Sequence, residues 1–353
     1  MQDRLFDDEE AATEEPAADE KPVAAVVVPA RRRAGQIQPF EHALELIALG
    51  RSLPARLRMG GSSWSYPGWN GLVWDGEYSE AKLAKDGLAA YARHPLFRSV
   101  CVDRAFYRAL NTLQYARLAA QVPEDFRFVV KAPLAVTDAT VRTENGRALQ
   151  PNPLFLDTDT AIREFIQPAL EGLGPKIGAL VFQLSPLPLP LLADLRGVMT
   201  QLHAMLTALP SLAGTAPDGV VAVEVRDPEF LTPDFAAMLR NSGASFCLGL
   251  QAKMPPIERQ LPMLRAMWPG PLVCRWNLNP VNGAYGYDAA ERRYAPFDTI
   301  VDPDPETREA LARVNAGTVG AGHNAYVTIS NQAEGCAPLT AQALARAVLA
   351  RMG

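Results

Sequence analysis

Few residues of this chain can hold a soft metal or a disulfide. Its 353 residues include four cysteines and four histidines. No C-x-x-C pair occurs, which excludes a zinc ribbon or a thioredoxin-type motif. Cys101, Cys247, Cys274 and Cys336 are too few and too dispersed for a disulfide framework, and three lie in apolar, strand-like runs where a buried thiol is ordinary. That usage fits a reducing cytoplasm. H-E-x-x-H, EF-hand, Walker A and G-x-S-x-G signatures are all missing. Gly320-Ala321-Gly322-His323-Asn324-Ala325 matches a G-x-G-x-x-A string, but it precedes a strand instead of following one. A dinucleotide is therefore not expected, and no other segment calls for a cofactor.

Positive charge is also in short supply. Lys and Arg total 34 against 39 Asp and Glu, a formal net charge of −5. Bulk attraction to nucleic acid is excluded on that count. Long apolar runs are missing too. Val23 to Ala30 is too short to span a bilayer, and Ile177 to Leu195 is interrupted by Pro186, Pro188 and Pro190. No membrane association is expected. The acidic start, with no apolar run after it, argues against a secretory signal.

The acidity belongs to one end. Residues 1–30 carry nine acids and two bases, leaving 32 bases against 30 acids in the rest. A segment so rich in Ala, Glu, Asp and Pro cannot bury enough apolar surface to offset its ordering entropy. Residues 1–38 are read as a disordered acidic tail and 39–56 as a helical lead-in. From 57 to 353 short β-branched runs alternate with amphipathic helical stretches. Strands are expected at 57–62, 98–103, 126–131, 178–183, 220–226, 244–250, 271–276 and 325–330. Helices are expected at 79–93, 110–121, 157–171, 189–208, 231–241, 257–267, 304–315 and 338–351. Eight of each is the count of an α/β fold of one kind, a parallel (β/α)8 TIM-type barrel. A doubly wound open sheet is the competing reading.

Particular segments then resemble a known family. MGGSSWSYPGW (Met59 to Trp69), AFYRAL (Ala105 to Leu110), FRFVVKAP (Phe126 to Pro133), IGALVFQLSP (Ile177 to Pro186) and VAVEVRDPEFL (Val221 to Leu231) occur in the order found in the YecE-like proteins. That resemblance implies a TIM-type barrel of unknown function over about 57–350. It also marks a divergent member. The family commonly has Glu at Cys101 and Asn at Asp103, a His-Gly at Asn277-Leu278, and a double Asn at Ser330-Asn331.

Side chains alternate faces along a strand. If Val221, Val223 and Val225 face the helices, Ala222, Glu224 and Arg226 point into the barrel. The same phase turns Cys101 and Asp103, Val129 and Lys131, and Val181 and Gln183 inward. Arg275 and Asn277 share a face, and Asn331 follows the last strand. These polar residues fall at strand C-terminal ends, where barrel enzymes build their sites. Glu224 and Arg226 could instead be an internal pair that fills the barrel.

With three cations against two acids, such a mouth would prefer a small anionic ligand. Glu224, Lys131 and Asp103 are the candidate catalytic groups. Glu224 would serve as general acid or base, with Asp103 as a second carboxylate. Lys131, with a lowered pKa, would be base or Schiff-base amine. An ion pair of Lys131 with Glu224 or Asp103 is equally compatible with the sequence. Arg226, Arg275, Gln183, Asn277 and Asn331 are candidate binding residues. Trp64, Tyr66 and Tyr107 could stack on a sugar or base, or pack a loop; Trp69 and Trp74 are read as packing. A metal is not expected, the one possibility being Mg²⁺ between Asp103 and Glu224. Loops 134–156 and 277–303 are candidate lids. The chain near Gly335 and Pro338 could offer helix N–H groups to a phosphate. The reading is thus a hydrolase or lyase for a small anionic sugar- or nucleotide-like substrate. The alternative is a non-catalytic barrel that senses a ligand or binds nucleic acid locally.

Overall fold

A computed structural model describes residues 36–142, 148–251 and 253–353. The acidic segment 1–35 lies outside the described residues, and so does the expectation of its disorder. Residues 36–38, grouped with that tail by composition, are laid against the barrel: Ile37 is buried, and the Asp75 N–H donates to the Gln38 carbonyl. Helix Leu44–Ser52 follows. Arg98 fixes it by donating to the Gly50 carbonyl at 2.8 Å and the Pro54 carbonyl at 3.0 Å.

Ten strands follow among the described residues: β1 (Leu57–Gly61), β2 (Ser99–Val102), β3 (Arg127–Lys131), β4 (Thr140–Arg142), β5 (Ala148–Pro151), β6 (Ile177–Gln183), β7 (Val220–Glu224), β8 (Ser245–Leu250), β9 (Leu272–Trp276) and β10 (Ala325–Ile329). All but β4 and β5 form one parallel sheet in the order β1-β10-β9-β8-β7-β6-β3-β2. These eight are the strands expected from the sequence, and the sheet curls into a (β/α)8 barrel with helices outside. The connecting helices start on polar caps: Ser79, Asn111, Asp157, Asp194, Thr232 and Asp304 each accept a backbone N–H of the first turn. A cap of this kind stabilises its helix by about 1 kcal/mol.

The hydrophobic core lies between strands and helices, built from residues of one strand phase such as Val100, Val102, Val223 and Val327. The opposite phase fills the barrel itself with Cys101, Val129, Ala179, Val181, Ala222, Cys247, Val273 and Tyr326. The N-terminal end of the barrel is closed by Asp218, which receives Arg127 at 2.8 Å, Arg58 at 3.4 Å and Asn324 at 3.1 Å.

The seam between β1 and β2 is closed in a different way. Backbone pairing there stops after Met59, whose carbonyl accepts the Arg98 N–H at 2.9 Å. Beyond it the Tyr91 hydroxyl inserts, accepting the Gly61 N–H at 2.6 Å and donating to the Ser99 carbonyl at 3.0 Å. A Cβ at Gly60 would stand 1.7 Å from the Ser99 oxygen, so the close approach needs glycine. Tyr91→Phe leaves two buried backbone groups without partners. We expect it to cost about 2 kcal/mol in urea unfolding, within the range for such orphaned groups. An unchanged midpoint would show that the seam does not depend on the hydroxyl.

Candidate functional site

Strand register sets the site. Gln183 pairs across from Glu224, Gly249 from Arg275, and Arg275 from Thr328. The inward side chains of β6, β7, β8 and β9 therefore end at one level, above the apolar filling. Glu224 is fully buried at the end of β7. One of its oxygens accepts Arg275 at 2.5 Å, and the other meets Arg226 at 2.9 Å and Asn277 at 3.4 Å. Gly249 leaves the room for this carboxylate, since a Cβ there would lie 3.1 Å from Oε1. Gln183 Oε1 accepts from both guanidiniums, Arg275 at 2.7 Å and Arg226 at 2.8 Å.

Arg275 is the hub. Its second terminal nitrogen reaches Asp103 Oδ1 at 3.3 Å, the oxygen that also holds Lys131 Nζ at 3.3 Å and the Cys101 thiol at 3.0 Å. Asp103 follows β2 and its side chain is one-third exposed, whereas Lys131 is buried, with its ammonium 4.1 Å from the centre of the Phe106 ring. Seven expected residues thus converge: Asp103, Lys131, Gln183, Glu224, Arg226, Arg275 and Asn277. Of the two ion pairs open to Lys131, the one formed is with Asp103. The five ionisable side chains among the seven sum to +1 when all are charged.

Burial by itself would raise the Glu224 carboxyl, but Arg226 and Arg275 outweigh it and hold the group below the usual carboxylate range. Asp103 behaves alike, burial opposing and Lys131 and Arg275 prevailing. Burial lowers the Lys131 ammonium; Asp103 acts against that shift and Arg275 adds to it. Burial raises the Cys101 thiol, which argues against a thiolate nucleophile. The Arg275 guanidinium bridges the two carboxylates between which a Mg²⁺ would have to bind. Those carboxylates are committed to cations of the protein. Among the described residues no group of three or more His, Cys, Asp or Glu is placed to hold a metal.

Other expected residues are placed elsewhere. Asn331 is fully buried beside the barrel, where its Oδ1 accepts the Trp69 indole N–H at 3.2 Å and the Ala337 N–H at 2.9 Å. It thereby takes the first N–H of helix Ala337–Met352, one of those considered for a phosphate. Asn331 is in phase with Val327 and Ile329, which face the helices, and the chain turns into a 3₁₀ helix at Asn331–Ala333. Trp64 is buried; its indole donates to the Leu83 carbonyl at 3.2 Å and Arg104 lies over its ring, so it packs the first loop. Tyr66 lies against Trp69 and Phe297. Tyr107 stays at the rim, 73% exposed, with its ring 6.0 Å from Lys131 Nζ.

The two long loops are ordered where described. After β3 come helix Leu134–Thr137 and the β4–β5 hairpin. After β9 comes helix Tyr287–Tyr294, fixed by Tyr294 donating to Asp302 at 2.5 Å and Asn279 donating to the Asp302 carbonyl at 2.9 Å. This helix supplies Tyr287, 44% exposed, whose phenol partial burial pushes up to about 12 and on which Asp103 and Arg275 act electrostatically. Tyr287 and Ser330 were not singled out as site residues. Ser330 could have been found by carrying the inward phase of Tyr326 and Thr328 two residues further. Tyr287 had no periodic signal to mark it.

These features define a (β/α)8 barrel whose mouth holds a cluster of five ionisable residues on an apolar floor. The chain belongs to the DUF72 family: the family model described as "Protein of unknown function DUF72" matches residues 58–352. This is the YecE-like family that the sequence motifs resemble. A DUF72 family protein from Enterococcus faecalis is 18% identical, with a TM-score of 0.54 over 83% of this chain and 95% of that one. A DUF72 family protein from Thermotoga maritima is 15% identical, with a TM-score of 0.48 over 83% of this chain and 99% of that one. The former shows the shared fold. No curated protein matches the chain. Among the described residues, no helix is long and apolar enough to cross a membrane.

Proposed function

We propose that the protein is a hydrolase or lyase acting on a small anionic sugar- or nucleotide-like substrate at the barrel mouth. The observation that carries this reading is the pairing of buried Lys131 with partly exposed Asp103, on a cluster of net charge +1. A desolvated lysine with a lowered pKa is a suitable base or amine nucleophile. Arg226, whose side chain is 15% exposed, and Arg275 behind it supply the positive potential that attracts an anion. In this reading Glu224 holds the two arginines, since both its oxygens are taken and it has no exposed surface. The acid–base work that its place in the sequence suggested passes to Lys131 and Asp103. Four buried free cysteines agree with a cytoplasmic setting.

The test is a turnover screen of sugar phosphates and nucleotides, with products followed by NMR. One substrate should be converted, and Asp103→Asn should lower its kcat about 10²–10⁴-fold, the range for a general acid or base. Full activity in Asp103→Asn would overturn the assignment. Saturable binding with no conversion would identify a ligand sensor instead.

A further inference from the structure

Beside the mouth, a recess of about 460 Å³ is lined by Pro228, Leu231, Lys253, Met254, Pro255 and Arg259. Its lining includes two cations and no acid. Among the described residues neither cation is in an ion pair. The Lys253 ammonium lies 4.6 Å from the centre of the Tyr285 ring, and Tyr285 is 87% exposed. Asp227 is close enough for its charge to feel Lys253, but its carboxylate already accepts the Leu187 N–H at 2.9 Å.

The recess is on the same end of the barrel as the ion cluster. Lys253 follows β8, Tyr285 follows β9, and Pro228 is two residues beyond Arg226. Two residues span at most about 7 Å of backbone, so the recess begins next to the mouth. Cations with no ion-pair partner among the described residues favour an anion as their counter-charge. An arginine fork together with a lysine point charge suits a phosphate. An exposed aromatic face against one of them offers a surface for a sugar or base.

We infer that the substrate carries two anionic groups, one at Arg226 in the mouth and a second between Lys253 and Arg259. The ligand class is a bisphosphorylated sugar, free or as part of a nucleoside, with Tyr285 flanking the ring. This rests on the mouth being the substrate site.

Calorimetric titration of the whole protein tests it with two probe pairs. One pair is ribulose 1,5-bisphosphate and ribulose 5-phosphate; the other is adenosine 3′,5′-bisphosphate and adenosine 5′-monophosphate. In at least one pair the bisphosphate should bind about tenfold more tightly, as two added exposed charge contacts would give. Which pair responds separates a free sugar from a nucleoside. The double variant Lys253→Ala/Arg259→Ala should erase that difference and leave the monophosphate affinity unchanged. Equal affinities in the wild type, an advantage that survives the double variant, equal loss for both ligands, or no binding of any probe would each overturn the inference. Arg226→Gln, with folding checked by circular dichroism, reports on the mouth separately. If it leaves monophosphate binding intact, the mouth reading fails, whatever the recess does.

Discussion

Replacing Glu224 by Gln is expected to destabilise the protein by about 3–5 kcal/mol, the cost of removing one partner from a buried charged pair. The variant keeps the size of the side chain and an oxygen that can accept a hydrogen bond. It removes the charge facing Arg226 and Arg275. Arg275 is 3% exposed, so water cannot replace what is lost, and Asp103 at 3.3 Å is its remaining anionic partner. Urea unfolding measures the change, and a loss below about 1 kcal/mol, the scale of an exposed pair, would mean the pair is solvated.

Acid has the same effect by a different route. Glu224 and Asp103 have folded-state pKa values below their ordinary ones. A group depressed on folding contributes stability above its unfolded pKa and loses it as pH falls through the folded value. The wild type should therefore be fully supported above about pH 5 and weaken below about pH 4, where ordinary carboxylates titrate. Glu224→Gln should flatten part of that acid limb.

Lys131→Met is expected to separate function from stability. Methionine keeps an apolar stem against Phe106 and removes the buried charge. Asp103 keeps Arg275 and the Cys101 thiol, and its partial exposure gives it water. Stability should change by no more than about 1 kcal/mol, as for other pairs with an exposed partner. Turnover should fall about 10²–10⁴-fold if the amine is the base. In the wild type, kcat/KM should rise as pH climbs through the Lys131 pKa, which burial sets below its ordinary value. That rise should vanish in Lys131→Met. A variant that turns over normally would leave Lys131 as a filler of the barrel mouth.

The fold was legible because eight β-branched runs stand out against amphipathic helices. The inward set was legible because strands have a period of two. Cys101 with Asp103, Val129 with Lys131, and Ala222 with Glu224 followed from that rule alone. Carried one step past the strand, the same rule selects Ser330; Asn331, in phase with helix-facing Val327 and Ile329, was assigned to the mouth against it. Partners were not legible. Glu224 and Arg275 are far apart in the chain, and only the register of β7, β8 and β9 brings them together. Trp64 lies beyond β1, where aromatic type does not distinguish a stacking platform from a loop anchor. Tyr287 sits on a loop helix that the strand pattern does not reach.

The Tyr91 seam bears on how the sheet avoids its neighbours. An open sheet presents two rows of unpaired backbone groups, each a template for a strand from another chain. Here β1 and β2 face one another, and a single phenolic hydroxyl occupies donor and acceptor across the gap. The barrel thereby gains the self-protection of a closed ring without a continuous ladder. Its guard against intermolecular β-pairing combines that side chain, delivered from a helix, with the Arg98–Met59 backbone bond and the Ser99 hydroxyl on the Arg58 carbonyl.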